Sequence, residues 1–435
     1  MVVVLLAPGG PGWAATPAGA APPAPAPAAT PAPAPASLRP APADAYRSLD
    51  ALADVMAHVQ NGYVEEVSQR ELVNAAIEGM MARLDPHSAY LKPEVMKAVR
   101  EETTGELDGL GVELAVRADQ LVVISPVADS PAERAGLQPG DRIVSIDGAS
   151  ARELGPTEAG RRLRGAVGTK VVLEIMRDGF AAPQKLTLVR DRIRLQSVDW
   201  RVLDAPRRHA YVRIKAFQER TDRAVKKALD DARAQLKGEL RGLVLDLRND
   251  PGGLLDQAVK VSDLWLTAGV IVSTEGRGGR PVETERAHEK GTEPGYPLIV
   301  LVNRGTASAS EIVAGALQDQ ERAVVMGTQT FGKGSVQSII ELEDGAGLKL
   351  TVARYYTPKH RSIQERGITP DVVVAETPPA PRGEAGPGER DLRRHLPGVA
   401  TPDIASSSAV EDHQLRTAME YLRVAEVLRG TGGAR

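Results

Sequence analysis

LVLDLRNDPGGLLDQAVKVSDLWL (243–266), LIVLVNRGTASASEIVAGALQD (298–319) and AVVMGTQTFGKGSVQSII (323–340) are the segments that set the fold. LVLDL, LIVLV and AVVM are near-continuous apolar runs, as expected of strands buried on both faces. The first two are each followed by a stretch with apolar residues at helical spacing. Strand, helix, strand, helix, strand implies a parallel α/β sheet with right-handed crossovers. In such a sheet the loops leaving the carboxyl ends of neighbouring strands share one edge, where ligands bind. Three unusual loops leave those ends: RNDPGG (248–253), NRGTASAS (303–310) and GTQTFGKGS (327–335).

Ser308 follows a buried strand and opens the helix SEIVAGALQD, so its hydroxyl belongs at a helix amino terminus, where developing negative charge is favoured. A plain N-cap is the alternative for any lone serine in that position. The paired glycines of RNDPGG let backbone N–H groups approach a ligand closely. Gly253 N–H and Ala309 N–H would then form an oxyanion hole. A tight turn is the alternative for Pro-Gly-Gly on its own. Lys333 sits between two glycines and leads into a strand-like run, along which residues 333, 335 and 337 share a face. Gln337 is therefore placed to hydrogen-bond the Lys333 amine. An amine so oriented can serve as the base for a serine hydroxyl. That requires its pKa to fall from about 10.4 to roughly 7–8, and burial lowers the pKa of an ammonium group.

Other chemistries fit less well. GTQTFGK matches the first seven positions of a phosphate loop, but Gly334 stands where a Mg²⁺-binding Ser or Thr is needed and VQSII continues as strand. No G-x-S-x-G elbow is present, Glu311 replaces the lysine of an S-x-x-K pattern, and no H-E-x-x-H spacing occurs, so neither metal nor cofactor is expected. His87, in LDPHSAY, is read as structural.

The remaining chain frames this core. In 435 residues, 42% apolar content allows several domains, and a formal net charge of -3 with interspersed signs gives no field favouring nucleic acid or an anionic membrane. The absence of cysteine excludes disulfides and thiolate sites. MVVVLLAPGGPGWAAT (1–16) has the apolar run and small residues of a secretory signal, although no Lys or Arg precedes it. It is read as a signal peptide with a lost or misassigned start; a disordered apolar tail is the alternative. The Ala/Pro-rich stretch to residue 43 reads as an extended tether, closing a non-globular segment over residues 1–45. Residues 46–104 show amphipathic helical spacing. Residues 105–192 change to short β-rich runs between Gly, Pro and Asp turns, and the α/β core occupies 193–375. A flexible linker is expected at 376–400 and a last helical segment at 401–435, docked on the core or on another subunit.

The quoted motifs resemble the carboxyl-terminal processing, tail-specific serine peptidases of the Ser-Lys type, across residues 46–375, from LDPHSAYL through DLRNDPGGLL and NRGTASASEIVAGALQD to GTQTFGKGSVQ. The resemblance implies a ClpP/crotonase-like α/β core with an inserted PDZ domain. It also implies Ser308 as nucleophile, Lys333 as general base, Gln337 as its orienting group, and Gly253 and Ala309 as oxyanion donors. Glu311 corresponds to the family's acidic residue three positions after the nucleophile and is expected to be supportive; a helix-surface Glu is the alternative. GLGVEL and SPAERAGLQPGDRIVSIDG resemble a PDZ domain. A peptide would add as a strand along Val112 to Val116, with its carboxylate held by the Gly109-Leu110-Gly111 loop. Arg164, at the end of TEAGRRLRG, is the candidate that couples this domain to the peptidase; a solvated charged face is the alternative.

The function so implied is a serine endopeptidase that captures unstructured protein C-termini. A catalytically inactive PDZ scaffold is the alternative. The expected partners are protein or peptide substrates with free C-termini, with an adaptor protein and a homo-oligomer through the terminal helices left open. An exported, periplasmic or envelope-associated location is expected, with no transmembrane span in the mature chain.

Overall fold

The computed structural model describes residues 43–117, 120–376 and 412–432. The signal-like segment, most of the Ala/Pro tether and residues 377–400 of the expected linker lie outside the described residues.

The amino-terminal region contains helix α1 (Ala43–Gly62), α2 (Gln69–Ala82), the short strand β1 (Ala89–Leu91) and α3 (Pro93–Thr104). A reciprocal cap starts α2: Glu71 N–H donates to Ser68 Oγ and Ser68 N–H donates to the Glu71 carboxylate. Pro93 opens α3, where a missing N–H costs nothing, and Gly105 ends it in the left-handed conformation.

The β-rich insertion runs from β2 (Glu106–Gly109) through β3 (Val112–Arg117), β4 (Gln120–Pro126), α4 (Pro131–Arg134), β5 (Arg142–Ile146), β6 (Ala149–Ser150), α5 (Ala151–Leu163), β7 (Lys170–Met176) and β8 (Gln184–Val189) to β9 (Asp191–Arg194). Its sheet has the order β3-β4-β5-β7-β8, with β6 beside β5. The incoming β2 and outgoing β9 pair antiparallel as a two-stranded ribbon. Leu110, Val123, Ile146, Val171 and Leu173 form a core separate from that of the α/β unit.

That unit comprises β10 (Val198–Asp204), β11 (His209–Ile214), α6 (Thr221–Leu236), β12 (Gly242–Asp246), α7 (Leu255–Asp263), β13 (Val270–Glu275), β14 (Pro281–Arg286), β15 (Leu298–Val302), α8 (Ala309–Asp319), β16 (Val324–Gly327), β17 (Ser335–Glu341), β18 (Gly347–Tyr356) and β19 (Val372–Val373). The main sheet has the order β10-β11-β12-β15-β16-β19, parallel from β11 onward and antiparallel only at β10. A second sheet, β1-β18-β13-β14 with β17 also on β18, is antiparallel throughout.

Alternation along the main strands accounts for their unbroken apolar sequence. Leu243, Leu245, Leu298 and Val300 face the core shared with α6, α7 and α8. Val244, Ile299 and Leu301 face the other way, against Leu415, Ala418 and Leu422 of α9 (His413–Gly432). The carboxyl-terminal segment thus docks on the core of its own chain. No helix among the described residues is long and apolar enough to cross a membrane.

Candidate active site

Three loops meet at the carboxyl edge of β12, β15 and β16, and side chains lace the first two together. Asn303 Oδ1 accepts the N–H of Asn249 at 2.9 Å, and Asn303 Nδ2 donates to Asn249 Oδ1 at 3.0 Å. Thr306 Oγ1 donates to the Leu247 carbonyl at 2.7 Å. The Asp250 carbonyl accepts from both Ala307 N–H and Ser310 Oγ, each at 3.0 Å.

Ser308 lies at the bend that these bonds fix, wholly buried, at φ 57° and ψ -114°. A non-glycine residue in that region carries strain of order 1–3 kcal/mol, here sustained by the surrounding bonds. Its Oγ has no hydrogen-bond partner among the described residues. Ser308 therefore does not act as an Oγ cap for α8.

Gly253 has φ 144°, and a Cβ there would lie 2.1 Å from the Phe217 carbonyl oxygen, so only glycine fits. The turn is held by Phe217 N–H to the Gly252 carbonyl at 2.7 Å and Leu254 N–H to the Phe217 carbonyl at 2.8 Å. Among the described residues neither Gly253 N–H nor Ala309 N–H donates a hydrogen bond, so both remain uncommitted donors.

Lys333 is 4% exposed. Burial, reinforced by the charge of Lys349 and opposed by Glu311, lowers its pKa to about 8. The backbone around it is pinned on several sides. Gly334 N–H donates to Gln364 Oε1 at 3.1 Å, and a Cβ on Gly334 would lie 2.4 Å from Gln364 N. The buried Tyr355 hydroxyl donates to the Lys333 carbonyl.

Glu311 connects the two segments. It is fully buried in the first turn of α8, so the helix-surface alternative is excluded. One carboxylate oxygen accepts Ser308 N–H at 2.8 Å and Lys333 N–H at 2.9 Å; the other accepts Thr330 Oγ1 at 2.6 Å and Gly332 N–H at 2.7 Å. Burial raises its pKa, against these four donors.

Gln337 differs from expectation. It is fully buried on β17, but its Nε2 donates to Ser335 Oγ at 2.8 Å and Thr351 Oγ1 at 3.4 Å, and its Oε1 has no partner among the described residues. Gln337 Oε1 therefore does not accept the expected hydrogen bond from the Lys333 amine. Nor does the Lys333 amine bond Ser308 Oγ, which is likewise unpartnered. The LDPHSAY segment packs nearby. Asp85 accepts from Thr351 Oγ1 at 3.1 Å, and the positive charge of Lys333 adds to burial in lowering the His87 pKa. Sequence reading missed Tyr355 and Asp85, since their partners lie 22 and 266 residues away.

In the β-rich domain, Gly109, Leu110, Gly111, Val112, Leu163 and Arg164 are among the residues lining a groove of about 280 Å³. It opens beside β3, which among the described residues is an edge strand paired with β4 alone. The Leu110 and Gly111 carbonyls are occupied by Ala132 N–H and Val127 N–H, which fixes the loop. Arg161 and Arg162 pair with Glu158 of their own helix, whereas Arg164 reaches Glu101 of α3 at 3.1 Å. Arg164 thus joins this domain to the amino-terminal region and not to the three loops at the sheet edge.

Comparison with known proteins gives three matching patterns: peptidase family S41 over residues 208–374, a PDZ domain over 122–177, and the activating protease CtpB N-terminal domain over 35–95. The carboxy-terminal-processing protease of Bartonella bacilliformis is 42% identical over 392 residues, covering 87% of this chain and 89% of its relative. The carboxyl-terminal-processing protease of Synechocystis is 44% identical over 312 residues, covering 71% and 72%. Among solved structures, a photosystem II D1 C-terminal processing protease is 31% identical, covers 77% of this chain and 94% of its own, and superposes with a TM-score of 0.46.

Proposed function

Because this chain belongs to peptidase family S41, among the carboxyl-terminal processing serine peptidases that carry a PDZ domain, we propose that it is an endopeptidase working through a Ser308–Lys333 dyad on a ClpP/crotonase-like core. The observation that carries this reading is the Glu311 carboxylate, which accepts the N–H of both residues from a fully buried position. A side chain that binds both segments at once fixes the relative position of nucleophile and base.

In the proposed reaction Lys333, as the neutral amine, takes the Ser308 proton as Oγ attacks the scissile carbonyl carbon. The N–H groups of Gly253 and Ala309 receive the oxyanion. Lys333 then returns the proton to the leaving amine, giving an acyl-Ser308 ester and a free amino product. Water, deprotonated by Lys333, hydrolyses the ester. The unpartnered Ser308 Oγ and Gln337 Oε1 are the two positions to which the Lys333 amine must turn, so a small closure precedes chemistry. The PDZ groove supplies substrate: an unstructured C-terminus adds along Val112 to Val116 with its carboxylate in the Gly109-Leu110-Gly111 loop, and Arg164 relays its arrival to the amino-terminal region through Glu101 of α3. Domain limits at 105–192 and 193–375, export to the periplasm or envelope, an adaptor and assembly through the terminal helices belong to the same proposal.

Ser308→Ala and Lys333→Ala are expected to abolish cleavage of a disordered protein while the circular dichroism spectrum is unchanged. Lys333→Arg is expected to be equally inactive, because guanidinium does not give up its proton at working pH. Full turnover in any of the three defeats the dyad. Binding of C-terminal peptides by the wild type without turnover at any pH would identify a scaffold instead.

A further inference from the structure

The proposed reaction gives no part to Asp250. Asp250 is fully buried in the RNDPGG loop, and no ion pair joins it to a cation among the described residues. Its Oδ1 accepts Gly252 N–H at 2.8 Å, its carbonyl accepts Ala307 N–H and Ser310 Oγ, and its Oδ2 has no partner among the described residues. We infer that Asp250 is a positioning residue acting as a neutral carboxylic acid, with its side chain fixing the Gly252-Gly253 turn and its carbonyl fixing the backbone on either side of Ser308. This rests on the reading of Ser308 as nucleophile and Gly253 as oxyanion donor.

Gly253 N–H and Ala309 N–H come from different loops, so their separation depends on whatever joins those loops. Asp250 does so with bonds on both sides: Gly252 precedes one donor, and Ala307 and Ser310 bracket Ser308 and Ala309. A neutral acid suffices, because the only function asked of the side chain is to accept one N–H, and an unpaired buried anion is heavily disfavoured. Burial pushes the Asp250 pKa well up, with Asp246 of β12 adding to the rise, and the Gly252 N–H, the Ser310 hydroxyl and the charge of Arg213 on β11 opposing it. The Oδ2 atom, without partner, is the natural place for the proton.

Asparagine has the same shape, keeps the Oδ1 acceptor and carries no charge. Asp250→Asn is therefore expected to keep kcat on a disordered substrate within about threefold, whereas Asp250→Ala loses at least 30-fold in kcat with KM within threefold. Unfolding temperature gives a second readout. The unfolded chain releases the Asp250 proton near its ordinary pKa of about 3.9 and the folded protein does not, so this group destabilises the fold increasingly as pH rises from about 4. The unfolding temperature of Asp250→Asn should accordingly rise relative to wild type from pH 4 to pH 8. Wild-type kcat in Asp250→Ala would overturn the inference, as would a folded Asp250→Asn as impaired as the alanine variant. If Asp250→Ala does not fold, a pH-independent difference between wild type and Asp250→Asn overturns it. Full activity in Ser308→Ala sinks the nucleophile reading instead, and leaves the pH dependence of stability to decide the protonation state of Asp250.

Discussion

The Lys333 amine is held where a charge is disfavoured, and this has opposite consequences for activity and stability. With a pKa of about 8, the neutral amine becomes the major form only above that pH, so under the proposed mechanism kcat/KM should rise with an apparent pKa near 8 and level off beyond it. For stability, the folded pKa lies below the unfolded one, so the cost of burying the ammonium is complete below pH 8 and is relieved as pH rises toward 10.5. Lys333→Met should then resist urea better than wild type at pH 7, by on the order of 3 kcal/mol, with the gain vanishing by about pH 10.5. Equal midpoints at pH 7 would show that the amine is not strained. Glu311 tests the opposite need. Glu311→Gln replaces one acceptor oxygen by an NH₂ that must face two donors, and leaving such groups unsatisfied costs about 1–3 kcal/mol each; kcat should fall at least tenfold. Wild-type kcat in that variant would show that the carboxylate does not align the dyad. Ser308 and Lys333 could be singled out as candidates from sequence because each lies just before an element with a strong pattern, α8 and β17. The role of Glu311 could not, since a glutamate in the first turn of a helix looks the same whether it caps in solvent or accepts from a loop 19–22 residues away.

At the scale of elements, the parallel strands and α7 and α8 were readable because their apolar patterns are strong and local. The sheet β1-β18-β13-β14 with β17 was not, since its partners are distant in sequence and most of its residues are only partly buried or exposed. Helix α9 was legible as a helix but not in its seat, which depends on the alternate face of β12 and β15. That seat reaches the site. Asp412, just before α9, receives the Arg248 guanidinium through bonds of 2.8 and 2.6 Å, and Gln414 accepts from the same group at 3.0 Å. Arg248 opens the RNDPGG loop and also grips Asp246, which accepts from Tyr211 at 2.7 Å. Leu422→Ala removes a fully buried side chain from the α9 seat and should cost about 2–5 kcal/mol. If α9 steadies the loop through Arg248, Asp412→Ala should lower kcat severalfold and leave KM nearly unchanged, as steady-state kinetics on a disordered substrate would read. A pure KM effect would place the contribution of α9 in substrate binding instead.

Over the whole molecule, the PDZ domain has its own core and is joined to the rest by the β2–β9 ribbon and by exposed contacts such as Arg164–Glu101. An ion pair as exposed as this one contributes at most about 1 kcal/mol, so little energy opposes a change in the orientation of the domain. The proposed peptidase site is the reverse: buried and many-bonded, with Ser308 Oγ and Gln337 Oε1 without a hydrogen-bond partner among the described residues. A weakly held recognition domain beside a nearly assembled site predicts that recognition and chemistry separate kinetically. A substrate whose C-terminus is amidated loses the charge that the Gly109-Leu110-Gly111 loop would bind, but keeps its scissile bonds. Its KM should rise at least tenfold. If the groove only captures substrate, kcat at saturation stays the same. If capture also drives the Lys333 amine onto Ser308 and Gln337, kcat falls as well, and Arg164→Ala should produce the same fall with the unmodified substrate. Identical kcat and KM for the free and amidated substrates would remove the groove from the reaction altogether and leave the peptidase site to select substrates by itself.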